Sequence, residues 1–156
     1  MIRIGVLSDT HLSRPTDDFK TTIGRLFSKV DMVIHAGDMT SVLVYDYLSN
    51  WDLRAVAGNM DDHDLRAVVP EKRIEEVSGR KIGIVHGRGS PLGLERVVLG
   101  EFSGVDVIVF GHSHIPLNTM RGRVHLCNPG SYRSSKTVGM LEVGDEITFR
   151  LIEMIG

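Results

Sequence analysis

Apolar residues in this chain come in short, β-branched runs, and each run ends in a turn that carries glycine or a polar side chain. Such runs fall at 2–7, 31–36, 53–57, 81–85 and 105–110, all of strand length. Helical spacing separates several of them. Phe19, Ile23, Leu26 and Phe27 share one face of a helix predicted over 19–28, with Asp17 and Asp18 at its N-cap and first turn. A short helix over 41–49 takes Ser41 as cap, and an amphipathic helix over 91–102 tolerates Pro91 in its first turn. The charged stretch 62–70 predicts a turn of helix and a loop. Runs 73–77 and 81–85, joined at Ser78-Gly79-Arg80, predict a hairpin. The remainder is strand-like at 117–120, 123–127, 137–143 and 146–153.

Strands alternating with helices imply a mainly parallel, βαβ-type sheet, and the hairpin-rich last third implies an antiparallel one. Two sheets stacked face to face with helices outside accommodate both in a single domain, residues 1–156. A chain of 156 residues suits one real core rather than two. The apolar share of 42% and charged share of 24% belong to an ordinary soluble globular protein. A net charge of −2 argues against sequence-independent nucleic-acid binding by the whole surface, so no stable nucleic-acid partner is expected. The chain has no apolar run near the ~20 residues that cross a bilayer. Its start enters a strand pattern without a secretory h-region, so the expectation is a cytoplasmic protein with no membrane partner. The single cysteine, Cys127, cannot form an internal disulfide and reads as a buried strand thiol.

Candidate chemistry sits at the strand ends. Asp9 and His11 follow the first run, Asp38 the second and Asn59 the third; His86 follows the run at 81–85, and His112 and His114 the run at 105–110. Ligands of open α/β sheets bind outside the carboxyl ends of the strands, so all five ends can converge on one crevice. The adjoining Gly37, Gly58, Gly87 and Gly111 suit sharp exits and close backbone approach. Carboxylate, carboxamide and imidazole donors without thiolate favour borderline-to-hard divalent ions. These side chains are too many for one tetrahedral ion and suit two ions with a bridging carboxylate. Only Asp9 and Asp38 are anionic, so two divalent ions leave the cluster at about +2, or about +1 with a bridging hydroxide. A net-positive, open bimetal site fits a phosphate oxyanion and can lower the pKa of bound water toward ~7. Phosphoester hydrolysis is the leading reaction class.

The blocks Asp9-Thr10-His11, Gly37-Asp38, Gly58-Asn59-x-Asp61, His86-Gly87 and Gly111-His112-Ser113-His114, in this order, resemble the calcineurin-like metallophosphoesterase superfamily. Chain length and the Asn128-Pro129-Gly130-Ser131 turn resemble its compact bacterial and archaeal phosphodiesterase branch. The resemblance implies an α/β fold, a four-layer αββα sandwich of two mixed sheets flanked by helices. It assigns Asp9, His11 and His114 to one metal and Asn59, His86 and His112 to the other. Asp38 bridges the two and holds the attacking water or hydroxide between them. The implied cofactors are two divalent ions, manganese first, with nickel, iron, cobalt or zinc as alternatives. The implied activity is hydrolysis of a small phosphodiester substrate. A phosphomonoesterase or nucleotidase, and a non-catalytic module like the trafficking-scaffold subunit of the same fold, are the competing functions.

One position departs from the broader pattern: many members place a histidine after the asparagine as general acid, and this chain has Met60. A methionine donates no proton, so ~10²–10⁴-fold of general-acid catalysis is missing unless replaced. Activated aryl diesters are therefore the expected substrates. His63 is a substitute acid or, more simply, a solvated loop histidine. Asp61 either orients a ligand from behind or caps the following turn. His35 and His125 are read as packed, Arg14, Arg88 and Arg133 as solvated, and Trp51 as core edge. An exposed strand edge or the apolar segment 97–99 offers a surface for a homo-oligomer.

Overall fold

A computed structural model describes residues 1–154. In chain order the elements are β1 (Ile2–Leu7), α1 (Asp17–Leu26), β2 (Met32–His35), α2 (Val42–Leu48), β3 (Leu53–Ala55), α3 (His63–Val68), β4 (Lys72–Val77) and β5 (Arg80–Val85). They continue with α4 (Leu94–Gly100), β6 (Val107–Val109), β7 (Leu117–Arg121), β8 (Val124–Asn128), β9 (Thr137–Val143) and β10 (Ile147–Glu153). Two five-stranded sheets result, in the orders β10-β9-β1-β2-β3 and β4-β5-β6-β8-β7.

Both sheets are mixed. β1, β2 and β3 run parallel, and β9 joins β1 antiparallel. β5, β6 and β8 run parallel, with β4 and β7 antiparallel at the edges. The two mixed sheets implied by the family resemblance are present, and the pattern-based division into a mainly parallel and an antiparallel sheet is corrected, because the late hairpins divide between the sheets. The β9–β10 hairpin completes the first sheet, and the β7–β8 hairpin completes the second.

Side-chain alternation builds the layers. Ile4 and Val6 of β1, Met32 and Ile34 of β2, Ile82 and Ile84 of β5, and Val107 and Val109 of β6 fill the space between the sheets. Leu7 and Val33, on the opposite face of the first sheet, pack with Phe19 and Ile23 of α1 and with Val44 and Leu48 of α2. Ile108 and Phe110, on the outer face of the second sheet, pack with Leu94 and Val98 of α4. Strands buried on both faces need continuous apolar runs, which is why 107–110, after Asp106, carries no polar residue. The result is an αββα sandwich. Arg54 on β3 donates to Glu75 on β4 at 2.6 Å, and Arg73 donates to the Ala55 carbonyl at 3.1 Å. These bonds tie an edge strand of one sheet to an edge strand of the other.

Local departures have simple causes. Thr16, one residue earlier than expected, caps α1 by accepting from Phe19 N at 3.1 Å, which leaves Asp17 and Asp18 in the first turn. Helix α4 is shorter than 91–102 because Gly93 enters it with φ 84, a left-handed conformation. In the segment 97–99, Val98 is fully buried, Leu99 packs beside it half-buried, and Val97 is half-buried. Among the described residues no helix is long and apolar enough to cross a membrane.

Candidate metal centre

The strand ends do converge, but across two sheets. β1, β2 and β3 deliver Asp9 and His11, Asp38, and Asn59 from the first sheet; β5 and β6 deliver His86, and His112 and His114, from the second. The crevice therefore lies where the carboxyl ends of both sheets meet rather than at one sheet edge. Each chain exit is abrupt. Asp9 (φ 53), His11 (φ 47), Asp38 (φ 59), His112 (φ 71) and His114 (φ 63) all adopt positive φ. That conformation costs a non-glycine residue roughly 1–2 kcal/mol, and its concentration at these residues marks a site rather than a turn. Two glycines are dictated by close approach. A Cβ at Gly58 would fall on the Asp38 carboxylate, and one at Gly111 would fall on Ser8 Oγ and Asp9 Oδ2.

Each carboxylate is half held and half free. Asp9 Oδ2 accepts from Ser8 Oγ at 2.6 Å and from His112 N at 3.1 Å, and Asp38 Oδ1 accepts from Met60 N at 2.7 Å. The other oxygens face imidazoles. Asp9 Oδ1 lies 3.2 Å from His114 Nε2, 3.7 Å from His11 Nε2 and 3.8 Å from His86 Nε2. Asp38 Oδ2 lies 3.1 Å from His86 Nε2 and 3.8 Å from His11 Nε2. Two donor groups stand out, Asp9–His11–His114 and Asp9–Asp38–His86, with Asp9 common to both. By distance both carboxylates lie between the two groups, so the bridging position assigned to Asp38 by resemblance is equally within reach of Asp9.

The imidazole tautomers follow from their outer partners. The Ala36 carbonyl can only accept, so His86 Nδ1, 2.7 Å away, carries a proton. In neutral His86 the Nε2 lone pair then points at Asp38 Oδ2 and at Asn59 Oδ1, the latter 3.1 Å away. Three acceptors facing one another require a cation between them, a proton or a metal ion. His112 stands outside both donor groups, its ring centroid 5.2 Å from that of His86; its Nε2 donates to the Gly89 carbonyl at 2.7 Å, which leaves Nδ1 unprotonated in the neutral ring. Ser134 Oγ lies 3.2 Å from His114 Nδ1, leaving Nε2 toward Asp9. Asp9 Oδ1 and His11 Nε2 are buried without a hydrogen-bond partner. Orphaned polar atoms of this kind, aimed at one another, are what a cation site provides, and the donor set fits a pair of divalent ions.

Titration reflects the same arrangement. Burial opposes charge on His86, but its hydrogen bond and attraction to Asp38 prevail and raise its pKa. Burial likewise opposes ionisation of Asp38, and the His86 contact overcomes it and lowers the Asp38 pKa. His35 behaves in the opposite way. Burial, then the neighbouring His86, push its pKa down to about 3. It stays neutral, accepting from Gly37 N at 3.0 Å through Nδ1 while Nε2 meets Thr10 Oγ1 at 3.2 Å. His35 thus stitches the Asp9 turn to the Asp38 turn from behind.

The remaining candidates separate clearly. Asp61 is buried and accepts from Asp38 N at 3.1 Å, Gly58 N at 2.7 Å and Thr40 N at 2.7 Å. Capping of α3 falls instead to Asp62, which accepts from Leu65 N at 2.9 Å. His63 begins α3 as an exposed residue. His63→Gln is expected to leave turnover nearly unchanged in a steady-state assay; a ~10²-fold fall would make it the acid. Met60 is 59% exposed and contributes its backbone N–H alone to Asp38. Arg133 is exposed, as read, and also donates to the His11 carbonyl at 2.8 Å. Beside it Ser131 Oγ donates to the Asp9 carbonyl at 2.9 Å. These serine and arginine contacts escaped the sequence reading.

Residues 2–146 match the calcineurin-like phosphoesterase superfamily domain. The chain belongs to that superfamily. It is 38% identical over 159 residues to a probable metallophosphoesterase of Methanocaldococcus jannaschii, covering 96% of this chain and 80% of that protein. A second protein of the same organism, named as a phosphodiesterase, is 29% identical over 161 residues, 90% of this chain and 93% of its own. Vps29 of Chaetomium thermophilum shares the fold at a TM-score of 0.79 and 20% identity, covering 97% of each chain. As a calcineurin-like phosphoesterase domain, the chain combines the superfamily fold with two candidate metal-binding clusters.

Proposed function

We propose that the protein is a cytoplasmic, dinuclear metal-dependent phosphodiesterase that works best on diesters with activated, aryl leaving groups. One observation carries this reading: Asp9 Oδ1 and Asp38 Oδ2 face His114, His11 and His86 Nε2 atoms at 3.1–3.8 Å, each carboxylate's other oxygen being held by protein donors. Asp9, His11 and His114 would hold one ion, and Asn59, His86 and His112 the other, with Asp38 between them. Two divalent ions bound there would supply Lewis-acid charge and a water acidified toward neutral pH. The protein's own part is positioning. Ser8, Met60 N and the Ala36 and Gly89 carbonyls fix donor orientation before any ion arrives, so little reorganisation remains for the reaction.

Leaving-group selectivity follows from Met60. Its exposed thioether cannot protonate an alkoxide, whereas a nitrophenolate departs without help. The test is hydrolysis of a bis-nitrophenyl diester by manganese-loaded protein, beside a nitrophenyl monoester and a dialkyl diester. Chelator-sensitive diester turnover is expected, with the dialkyl ester ~10²–10⁴-fold slower. Absence of metal-dependent turnover overturns the enzyme reading. Preference for the monoester supports the phosphomonoesterase alternative, and equal rates on aryl and alkyl diesters overturn the role given to Met60.

A further inference from the structure

A cleft of about 310 Å³ opens beside Asn59 and His86, and its walls carry Arg66, Lys72 and Arg88 against Glu71 and Glu101. Arg66 is fixed within it. Its Nε donates to the Asp61 carbonyl at 3.0 Å and its Nη2 to the Gly58 carbonyl at 2.8 Å, so the guanidinium lies against the turn that presents Asn59. The carboxylate nearest its free edge is Glu71, 4.0 Å from Nη1 and itself 86% exposed. Elsewhere in the cleft two cations share one acid: Glu101 Oε2 lies 3.2 Å from Lys72 Nζ, and Glu101 Oε1 lies 3.8 Å from Arg88 Nη2. The cleft therefore holds more positive charge than its acids neutralise. Glu71 and Arg88 are themselves largely exposed, so the pairs they make with Arg66 and Glu101 contribute little and an incoming anion displaces them readily.

We propose that this cleft binds a second phosphoryl group on the substrate, so that the preferred diester carries a phosphate on one of its own ester arms. The inference rests on the diesterase reading, in which the scissile phosphate would meet the pair of metal ions that Asn59 and His86 help to hold. Guanidinium groups match phosphate oxygens in a two-point fork, and Arg66 presents such a fork already immobilised. The arm reaches the cleft directly because Asn59 and His86 line it. Arg88 follows His86-Gly87 and supplies the adjustable second cation, its side chain being 81% exposed.

Calorimetric titration of the manganese-loaded protein with adenosine 3′,5′-bisphosphate, and with the 3′- and 5′-monophosphates, tests this. The bisphosphate is expected to bind at least about tenfold more tightly than either monophosphate, the scale of one charge-assisted phosphate contact. Arg88→Gln should cut that ratio severalfold, and adding Lys72→Gln should cut it further, toward the share that Arg66 alone supplies. Equal affinity for the three ligands, or a ratio unmoved in both variants, overturns the cleft assignment. The bis-nitrophenyl diester, which has no second phosphate, reports separately on the diesterase. Its metal-dependent turnover beside equal ligand affinities leaves that reading standing and removes this one.

Discussion

Asp38→Asn should lower turnover of a nitrophenyl diester by at least roughly 10²–10³-fold, the scale for losing one preorganised electrostatic group, while the chain still folds. The substitution is isosteric. A carboxamide oxygen can still accept from Met60 N, now bonded to Asp38 Oδ1 at 2.7 Å, and its amide can donate to His86 Nε2 in place of Oδ2. What disappears is one of the two anionic charges available to two divalent ions. Metal analysis after desalting should fall from about two ions per chain toward one or fewer, with circular dichroism unchanged. Retention of both ions together with near-normal turnover would remove Asp38 from the centre of the mechanism and leave Asp9, which reaches both donor groups, as the bridge.

The same pair sets a pH dependence for metal loading. Without metal, a proton on His86 Nε2 faces Asp38 Oδ2, consistent with the raised His86 and lowered Asp38 pKa values. An incoming ion must displace that proton. Affinity should therefore rise with pH through the range where His86 titrates, above the ordinary histidine value, and level off beyond it. The raised His86 pKa stabilises the metal-free fold at low pH, and that contribution is lost as pH climbs through the same range.

Much of the site was legible because each donor follows a run that can only be a strand. Asp9, Asp38, His86 and the His112–His114 pair stand where a βα sheet presents ligands, and their residue types favour borderline-to-hard ions. Strand pairing was not legible. Nothing local in 137–143 says that it lies beside β1, a pairing that forms across most of the chain's length, and nothing local in 124–128 says that it runs parallel to β6 while its hairpin partner β7 takes the outer edge. Arg133 and Ser131 were missed for the same reason: each bonds a strand-end carbonyl 122 residues away. Serines in a turn carry no signal of such contacts. Asp61 was ambiguous because an acid before a helix serves as cap or as brace, and only the neighbouring Asp62 decided which.

Asp61→Asn is the second large effect, and it separates positioning from charge at the metals. Asp61 is acceptor-only and takes three backbone N–H groups, from Asp38, Gly58 and Thr40. Those donors belong to the two turns that present Asp38 and Asn59, so one carboxylate holds two ligand-bearing strand ends together. A carboxamide keeps one acceptor oxygen. If that oxygen takes the place of Oδ2, the amide faces the Thr40 N–H; if reversed, it faces Asp38 and Gly58. At least one buried donor then opposes another donor. The expected loss is about 2–4 kcal/mol of stability, read as a fall in Tm of roughly 5–15 °C. Metal affinity should fall about 10–100-fold even though no ligand has changed. Asp62→Asn is the control, because asparagine caps a helix as well as aspartate does and α3 should keep its start. A stable Asp61→Asn protein with full metal affinity would mean that the parallel pairing of β2 with β3 alone holds the two turns in register.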